Sequence, residues 1–425
     1  MEMEDLEKKS WHYLGEGNAN IVIAIPEDLK VLRFRKSNNL TDQQLLLEYL
    51  YTKHIIEPML RGFVQVPVVI YMKGEHIIKL QEAMKKCRPV HRQNKNISSN
   101  FVMMFNDYTK LPPEIVYNKQ NPLPVFCVEL KPKQGWLHPD DRYLPKCKFC
   151  ANQYLKVMEN SVRCQSRYCP YDLFSGNYTR MKKAIHNLLS TPQNNLRIFK
   201  NGLLVYGDGR SSNDLSSVLL QWFSASLDKS TNRLVHKFCD IIIRALTHVK
   251  KNSAPEIKDA TILLDSQYPL HLPKNLVETA AKNFSENKCT FAEGQLPKHC
   301  VLDLIVRGQQ QQTRGASWIY HMYKKYESFK DYEYIPMVLK KSVNSDLLEI
   351  HRYLLAATFK DCSVMLTFQQ ATESPCGMYL EQIVTDDEGM LYAFDVHVTD
   401  LDPKPWSCIE KHRKRDLRIL QACKT

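Results

Sequence analysis

The stretch CVELKPK, residues 127–133, places two lysines on either side of a proline, directly after the apolar run Val125–Val128. Proline fixes its own φ and biases the preceding residue toward an extended conformation. In an extended segment, Lys131 and Lys133 point to the same side of the chain. Their ammonium groups could then share one anionic ligand, although a solvated edge is the alternative for a lone Lys-Pro-Lys.

The composition supports an anionic partner. The chain has 425 residues, of which 44% are hydrophobic, a length that predicts two domains or lobes. Its formal net charge is +12, from 58 Lys and Arg against 46 Asp and Glu. Nucleic acid, acidic lipid and a heavily phosphorylated small molecule all fit that charge.

The sequence also limits the compartment. Residues 1–9 lack the pattern of a secretory signal, and no apolar run approaches the roughly 18 residues of a membrane span. We expect a soluble protein of the cytoplasm or nucleus, without a membrane partner, whose 13 cysteines are reduced thiols or metal ligands.

A glycine-containing turn precedes a predicted β-hairpin near the N-terminus. The turn GEGNAN, residues 15–20, is followed by the apolar run 21–25 and then by VLRF, residues 31–34. Glycines allow main-chain N–H groups to approach a phosphate, although a plain surface turn is the alternative. Followed by two strands, with Arg33 on the second, the arrangement is similar to a kinase nucleotide flap.

Three further segments are assigned from local pattern. Residues 41–60 have apolar residues at helical spacing and predict a helix. Residues 85–100 are basic and include Arg88 and Arg92, a loop that could direct two arginines toward an anion. The glutamine run at 309–313 reads as a surface loop.

Four cysteines cluster as Cys147-x2-Cys150-x13-Cys164-x4-Cys169. The Cys-x2-Cys pair puts two thiolates on one turn, and two further cysteines could close a tetrahedral zinc site. Four buried thiols are the alternative. Four thiolates leave no open position for water, so such a zinc ion would be structural.

Acidic residues follow a predicted strand near the C-terminus. Residues 394–399 alternate as a strand and lead to Asp400, Leu401 and Asp402, with Lys404 close behind. Carboxylates at i and i+2 suit a divalent cation, and the lysine offers a phosphate contact. A capped turn is the alternative.

Taken together, the motifs resemble the inositol-pentakisphosphate 2-kinase family, whose members phosphorylate the 2-hydroxyl of inositol pentakisphosphate. The pieces occur in the family's order: GEGNAN with VLRF, VELKPK, DLFSGN, TPQNN, KDCSVM and DLDPKP. The resemblance implies an α+β, two-lobed fold distantly related to protein kinases. An N-terminal lobe with the nucleotide flap would span 1–110, and an enlarged C-terminal lobe holding the inositide would span 111–425.

The resemblance also implies roles for individual residues. The catalytic residues would be Asp361, as the catalytic aspartate, and Lys131. Contacts to ATP would come from Gly15, Glu16, Gly17, Asn18, Ala19, Asn20, Arg33, Lys131, Asn195 and Arg197. Contacts to the inositide would come from Arg92, Lys133, Lys156, Asn194 and Lys404. Magnesium would be held by Asp400 and Asp402, and zinc by Cys147, Cys150, Cys164 and Cys169.

The sequence departs from the family pattern in two places. Some members carry an arginine and then a tyrosine after the lysine matching Lys404, where this chain has Cys408 and His412. The nearby cations that could compensate are Lys411, Arg413 and Lys414. The cysteine cluster resembles the animal form of the family, with Cys164 or a histidine such as His138 as the fourth zinc ligand.

These observations predict a monomeric kinase that uses ATP and Mg²⁺ to convert inositol 1,3,4,5,6-pentakisphosphate to inositol hexakisphosphate. Asp361 would orient the 2-hydroxyl or accept its proton, while Lys131 and Arg197 stabilise the transferring phosphoryl group. A basic, zinc-containing nucleic-acid-binding protein is the alternative, although no stacking platform or recognition-helix motif is visible. A protein kinase is disfavoured because the His-Arg-Asp and Asp-Phe-Gly signatures are absent.

Overall fold

The structure, a computed structural model, describes residues 9–17, 19–36, 42–115, 123–142, 146–207, 214–250, 294–327, 345–371 and 382–423. Asn18 lies outside these residues, as do residues 273–282, whose sequence pattern predicts a mainly helical segment. The fold is α+β and contains two antiparallel sheets. It forms two compact units, with described residues 9–58 and 65–107 in unit 1 and 59–64, 108–250 and 294–423 in unit 2. Within the described ranges, no helix combines the length and apolar character needed to cross a membrane.

Unit 1 contains a five-stranded sheet in the order β1-β2-β3-β5-β4. Its strands are β1 (His12–Glu16), β2 (Asn20–Ile25), β3 (Lys30–Arg35), β4 (Val68–Tyr71) and β5 (Phe101–Asn106). Its helices are α1 (Asp42–Tyr51), a π-helical turn (Thr52–Ile56), α2 (Glu57–Leu60) and α3 (Gly74–Met84). Only the first two residues of α2 belong to unit 1. The predicted hairpin is confirmed as β2 and β3, and the helix predicted at 41–60 as α1 with its continuation.

The core of unit 1 follows from alternation along the hairpin. Ile21, Ile23 and Ile25 of β2 are fully buried, as are Leu32 and Phe34 of β3. Residues two apart on a strand share a face, so this pattern turns one side of the hairpin inward. A register shift between Tyr13 and Gly15 interrupts the β1–β2 pairing at the start of the glycine turn.

A buried ion cluster fixes the glycine turn to the rest of unit 1. The Glu16 side chain is 0% exposed. Its carboxylate accepts two hydrogen bonds of 3.0 Å from Arg88 and is also bound by Lys36. Burial alone would raise the pKa of Glu16, but the hydrogen bonds and charges of Arg88 and Lys36 outweigh burial and lower this pKa. The arginine predicted to lean toward an anion therefore binds a carboxylate of the same unit.

Unit 2 contains a six-stranded antiparallel sheet in the order β10-β11-β9-β6-β7-β8. The strands are β6 (Val125–Leu130), β7 (Leu196–Lys200), β8 (Leu203–Tyr206), β9 (Ser363–Ala371), β10 (Ile383–Thr385) and β11 (Leu391–Thr399). The described helices are α4 (Lys148–Met158), α5 (Pro170–Leu173), α6 (Tyr178–Ser190), α7 (Leu215–Trp222), α8 (Thr231–Thr247), α9 (Val301–Gln309), α10 (Ala316–Lys325), α11 (Ser345–Phe359) and α12 (Cys408–Ala422).

Strand β6 is central in this sheet and carries the CVELKPK stretch to the site. It pairs with β7 on one side and β9 on the other. Cys127, Val128 and Leu130 are fully buried, as expected for a strand covered on both faces. The strand predicted before Asp400 is confirmed as β11. Both β6 and β11 pair with β9, so the sheet brings their ends close together.

Glu16→Gln tests the ion cluster of unit 1. Removing one partner of a buried ion pair leaves uncompensated charge, so we expect a loss of ~3–5 kcal/mol in the free energy of unfolding. The pKa of Glu16 is lowered on folding, so this stabilisation is present above the unfolded pKa and disappears as pH falls through the folded one. Denaturant titration at several pH values measures both effects. The exposed Glu75→Gln is the control, and equal losses in the two variants would contradict the prediction.

Candidate phosphotransfer site

The main chain of the Lys-Pro-Lys segment is held by three hydrogen bonds. The Lys131 N–H donates to the Asn195 carbonyl at 2.8 Å, and the Tyr168 hydroxyl donates to the Pro132 carbonyl at 2.7 Å. The Gln309 amide donates to the Lys133 carbonyl at 2.9 Å. The prediction of an extended segment is wrong at Lys133, where φ is +62°. Proline restricts the residue before it but leaves the following residue free to adopt this conformation.

Lys131 lies between two carboxylates. Its ammonium group is 2.7 Å from an Asp400 oxygen and 3.8 Å from a Glu129 oxygen. The Ser363 hydroxyl is within hydrogen-bond distance of both carboxylates, 2.9 Å from Asp400 and 3.1 Å from Glu129. Burial lowers the pKa of Lys131, but the charges of Asp400 and Glu129 outweigh burial and raise it overall. Lys131 is therefore a fixed cation.

A second carboxylate, Asp361, is held by two other lysines. The Lys133 ammonium is 3.0 Å from one Asp361 oxygen, and the Lys404 ammonium is 3.1 Å from the other. Burial raises the pKa of Asp361, but the charges and hydrogen bonds of Lys133 and Lys404 bring it down to about 2. The side chain is 57% exposed. The ionised carboxylate is therefore accessible to a ligand.

Sequence reasoning missed Glu129. This residue lies directly opposite Arg197 in the β6–β7 ladder, and their side chains form an ion pair of 3.2 Å. It also contacts Lys131 and Ser363, both of which contact Asp400 as well. The signal in the sequence was a single acidic residue in an otherwise apolar strand.

The glutamine run was wrongly predicted as a surface loop. Residues 309–312 are all buried, and Gln309 is 0% exposed. The Gln309 side-chain oxygen accepts from the N–H groups of Gly135 and Trp136 at 2.9 and 3.1 Å. Its amide nitrogen donates to the carbonyls of Lys133 and Phe359 at 2.9 and 3.1 Å. Gln309 therefore ties the Lys133 segment to the end of α11, two residues before Asp361.

The polar loop before β7 lies beside α4. The Lys156 ammonium donates to the Gln193 side-chain oxygen at 2.8 Å. Burial lowers the pKa of Lys156, and the charge of Lys133 lowers it further. Asn194 is exposed, whereas Asn195 is buried. The structure thus brings the predicted residues Lys133 and Lys156 close enough to interact.

Three of the four predicted zinc ligands are brought together. The sulfur atoms of Cys147, Cys150 and Cys169 all lie within 4.8 Å of one another. The sulfurs of Cys147 and Cys169 are 3.8 Å apart, close to the separation of two thiolates bound ~2.3 Å from one tetrahedral zinc ion. Hydrogen bonds from Cys147 and Cys150 lower the pKa of the Cys169 thiol.

Neither candidate for the fourth ligand joins this group. Cys164 is exposed and lies outside the three-cysteine cluster. His138 uses one ring nitrogen with the N–H of Asp140 and the other with the carbonyl of Thr313, both at 3.2 Å. Sequence spacing therefore identified three cysteines that the structure brings together, whereas neither candidate for a fourth position joins them.

In unit 1, two main-chain hydrogen bonds hold the described residues of the predicted nucleotide turn. The Gly17 N–H donates to the Asn20 carbonyl at 2.9 Å, and the Lys36 N–H donates to the Ala19 carbonyl at 2.7 Å. Arg33 lies on β3, with its guanidinium 5.4 Å from the centre of the Phe105 ring. Arg92, predicted to clamp the inositide, donates a hydrogen bond to the Glu16 carbonyl.

The remaining predicted residues follow β11. Asp400 has φ +61° and presents its carboxylate to Lys131, whereas the Asp402 carbonyl accepts a hydrogen bond of 3.1 Å from the Thr358 hydroxyl. Among the cations suggested to compensate after Lys404, Lys414 pairs with Glu410 and is largely exposed. Arg413 donates to the Ser317 hydroxyl at 3.4 Å.

Clustered lysines beside two accessible carboxylates are typical of a phosphotransferase site, because such a reaction needs cations for phosphate groups and carboxylates for a hydroxyl and a metal ion. The chain belongs to the inositol-pentakisphosphate 2-kinase family, whose model matches residues 13–418. A zebrafish protein of that name is 28% identical, over 99% of this chain and 94% of that protein. An Arabidopsis thaliana protein of the same name is 25% identical, with the same coverage.

These comparisons confirm the predicted family. The chain is accordingly a kinase, and the catalytic prediction is favoured over the nucleic-acid-binding alternative. A Drosophila melanogaster protein of the same name is 26% identical over 47% of this chain.

Gln309→Leu tests how the lysine segment is held. The leucine would leave two main-chain N–H groups and two carbonyls without their partner, and each unpaired buried group costs ~1–3 kcal/mol. We expect a loss of about 3 kcal/mol or more in the free energy of unfolding, measured by denaturant titration. The matched control is Gln311→Leu, because buried Gln311 makes one weaker side-chain hydrogen bond, at 3.4 Å, to the Arg307 carbonyl. Similar losses would argue against a special role for Gln309.

Proposed function

We propose that this enzyme transfers the γ-phosphoryl group of ATP to the 2-hydroxyl of inositol 1,3,4,5,6-pentakisphosphate. The bond between the γ-phosphorus and the β,γ-bridging oxygen breaks, and a bond forms from the inositol 2-oxygen to that phosphorus. The hydroxyl proton leaves, and ADP and inositol hexakisphosphate are the products. The observation that carries the proposal is Asp361, an ionised carboxylate held between Lys133 and Lys404.

Asp361 is suited to orient the attacking hydroxyl. The transition state of phosphoryl transfer is loose, so little negative charge must develop on the hydroxyl oxygen before attack. A weakly basic carboxylate can therefore hold the hydroxyl and take its proton as the new bond forms. Phosphate groups of the substrate would draw Lys133 and Lys404 toward themselves. If the Lys133 and Lys404 ammonium groups pair with phosphates instead of Asp361, the pKa of Asp361 rises and the carboxylate becomes a stronger proton acceptor.

We assign the remaining cations by their surroundings. Lys131 and Arg197, both oriented by Glu129, would contact nucleotide phosphates and stabilise the transferring group. Lys156, in contact with Gln193, would contact the inositide together with Asn194. In unit 1, the Gly15–Asn20 turn and Arg33 would contact ATP. A glycine turn that enters an antiparallel sheet supports a distant relationship to protein kinases.

The donor atoms of Asp400 suit Mg²⁺, which prefers carboxylate oxygens. Asp400 is half-exposed, and its carboxylate is balanced by the Lys131 ammonium and the Ser363 hydroxyl. We propose that Asp400, together with Asp402, holds Mg²⁺, which would neutralise charge on the β- and γ-phosphate oxygens. We further propose that the enzyme acts as a monomer in the cytoplasm or nucleus.

We infer that Cys147, Cys150 and Cys169 bind a structural zinc ion. Cys147 is the residue before α4 and Cys169 the residue before α5, so one ion would join the starts of two helices. Helix α4 carries Lys156 in its last turn. The metal would thus fix the direction in which Lys156 projects.

Asp361→Ala tests the proposed reaction. With Mg²⁺, ATP and inositol 1,3,4,5,6-pentakisphosphate, we expect the wild type to form the hexakisphosphate, detected by anion-exchange chromatography. The variant should lose at least ~10²-fold in kcat, because it lacks the group that orients the hydroxyl. Inositide binding, measured by calorimetry, should be retained, since Lys133 and Lys404 remain.

The control for this test is Asp387→Asn, which changes a carboxylate of unit 2 that pairs with Arg233 at 2.6 Å. It should keep wild-type turnover. Lost inositide binding in Asp361→Ala would contradict the orienting role. A folded wild type without turnover would contradict the proposed function itself.

Metal removal tests the zinc proposal. We expect about one zinc ion per chain by mass spectrometry, and a lower thermal unfolding temperature after chelation, because metal binding contributes to folding. Cys169→Ser should lose the ion, whereas Cys164→Ser should keep it, because Cys164 lies outside the three-cysteine group. A metal-free wild type would refute the proposal, and loss of zinc from Cys164→Ser would make Cys164 a ligand.

A further inference from the structure

A cavity of about 310 Å³ opens in unit 2 beside Asp361. Its wall includes α4, α11 and α12, together with the segments that carry Lys133 and Lys404. The volume is at the lower end of the range for small-molecule pockets. Because Asp361, Lys133 and Lys404 line the same cavity, a ligand that places a hydroxyl at Asp361 can extend other groups into it.

The cavity wall has an excess of positive charge. Five lysine and arginine side chains line it, against three aspartates: Lys133, Lys148, Lys360, Lys404 and Arg415, and Asp141, Asp361 and Asp416. The aspartates are already engaged. Asp361 binds Lys133 and Lys404, Asp416 binds Lys148 at 2.7 Å, and Asp141 accepts hydrogen bonds from the Gln312 amide and the Ala316 N–H. None of these three aspartates forms an ion pair with Lys360 or Arg415.

Lys360 is the cation least compensated by the protein. Its ammonium group donates to the neutral side-chain oxygen of Gln312 at 2.5 Å. Among the described residues, no carboxylate lies within ion-pair distance of it. Arg415 donates to the Asn152 side-chain oxygen at 2.8 and 3.1 Å, with a Glu159 oxygen 3.7 Å away. Burying a cation against neutral acceptors is costly, which points to an anionic ligand as the missing partner.

The groups around Lys360 leave the cavity available to an anion. The charges of Lys148 on α4, Asp416 on α12 and Asp141 act on Lys360, and its ammonium group lies 5.5 Å from the centre of the Tyr353 ring on α11. Burial, and to a lesser extent the charge of Lys148, lowers the pKa of Lys360 to about 7, although the charges of Asp141 and Asp416 act in the opposite direction. Burial also lowers the pKa of His412 to about 4, so that ring is neutral near pH 7.

We propose that this cavity binds one phosphate group of the inositide through Lys360 and Arg415, with Lys148 as a third cation. The inference rests on the proposed function, because it takes the inositide as the ligand whose hydroxyl meets Asp361. Lys360 and Arg415 are then specificity determinants that recognise a phosphate away from the reacting hydroxyl. The bound phosphate supplies the negative charge that the wall lacks, and it holds the Lys360 ammonium in its protonated form.

Lys360→Met is the principal test, because methionine keeps the apolar length of lysine and removes the charge. A charge-assisted hydrogen bond lost from the complex should raise KM for inositol pentakisphosphate by about tenfold to a hundredfold. KM for ATP should stay within about twofold, because no ATP contact is removed. Lys360→Arg should restore most of the affinity. Lys183→Met, an exposed lysine on α6, is the control and should match the wild type.

A second variant and a pH series distinguish the loss of phosphate binding from a general loss of stability. Arg415→Gln should also raise KM for the inositide without changing KM for ATP, and thermal unfolding will report whether either variant is destabilised. Wild-type KM for the inositide should rise as pH increases from 7 to 9, because Lys360 loses its proton over this range. Lys360→Arg should show a weaker rise, since arginine stays protonated.

Direct binding separates this inference from the proposed function. Calorimetry with inositol pentakisphosphate and with inorganic phosphate, without ATP, measures affinity independently of turnover. Weaker pentakisphosphate binding by Lys360→Met supports the inference even if the wild type shows no turnover. An unchanged KM and affinity in Lys360→Met, or an equal rise in KM for ATP, would overturn it. Binding of inorganic phosphate as tight as that of the pentakisphosphate would also overturn it, because the cavity would then be a free-anion site.

Discussion

The site depends on pairing three of its lysines with carboxylates that the proposed reaction also needs. Lys131 pairs with Asp400, whereas Lys133 and Lys404 share Asp361. Without such pairing, several ammonium groups gathered in one place would repel one another and destabilise unit 2. The same carboxylates are the candidates for the metal and the hydroxyl. The phosphate groups of a polyphosphorylated ligand would therefore replace these carboxylates as partners of the lysines. Asp400 would then be available to the metal ion and Asp361 to the hydroxyl.

This exchange requires that the lysines stay in position when their partners change. Three hydrogen bonds hold the main chain of the Lys-Pro-Lys segment, so that its position does not depend on the ion pairs. Glu129 keeps Lys131 and Arg197 oriented from within the sheet. Gln309 binds both the segment with Lys133 and the end of α11 near Asp361. The rigid parts are thus the neutral main-chain hydrogen bonds and the Glu129 contacts within the sheet, and the exchangeable parts are the ion pairs of the half-exposed Asp361 and Asp400.

Local pattern in the sequence predicted the elements that carry the site but not how distant residues meet. The β2–β3 hairpin, strand β6 and strand β11 could be read from alternation and apolar runs, because those signals lie within a few residues. The glutamine run was read as a surface loop because glutamine is usually exposed. It is buried because its partners, among them the Lys133 carbonyl, lie up to 176 residues away. Glu129 was missed for the same reason, since Ser363 is 234 residues distant.

Lys360 and Asp361 illustrate why neighbouring residues can have opposite electrostatic states. Asp361 is half-exposed and stabilised by two ammonium groups, which lower its pKa to about 2. The Lys360 ammonium is enclosed, meets a neutral amide oxygen and has a pKa of about 7. Both residues follow the end of α11 and line the cavity, but the Asp361 side chain is half-exposed whereas the Lys360 amine is enclosed. A substrate with a hydroxyl next to phosphate groups would match this pair, because under the two proposals Asp361 would contact the hydroxyl and Lys360 a phosphate.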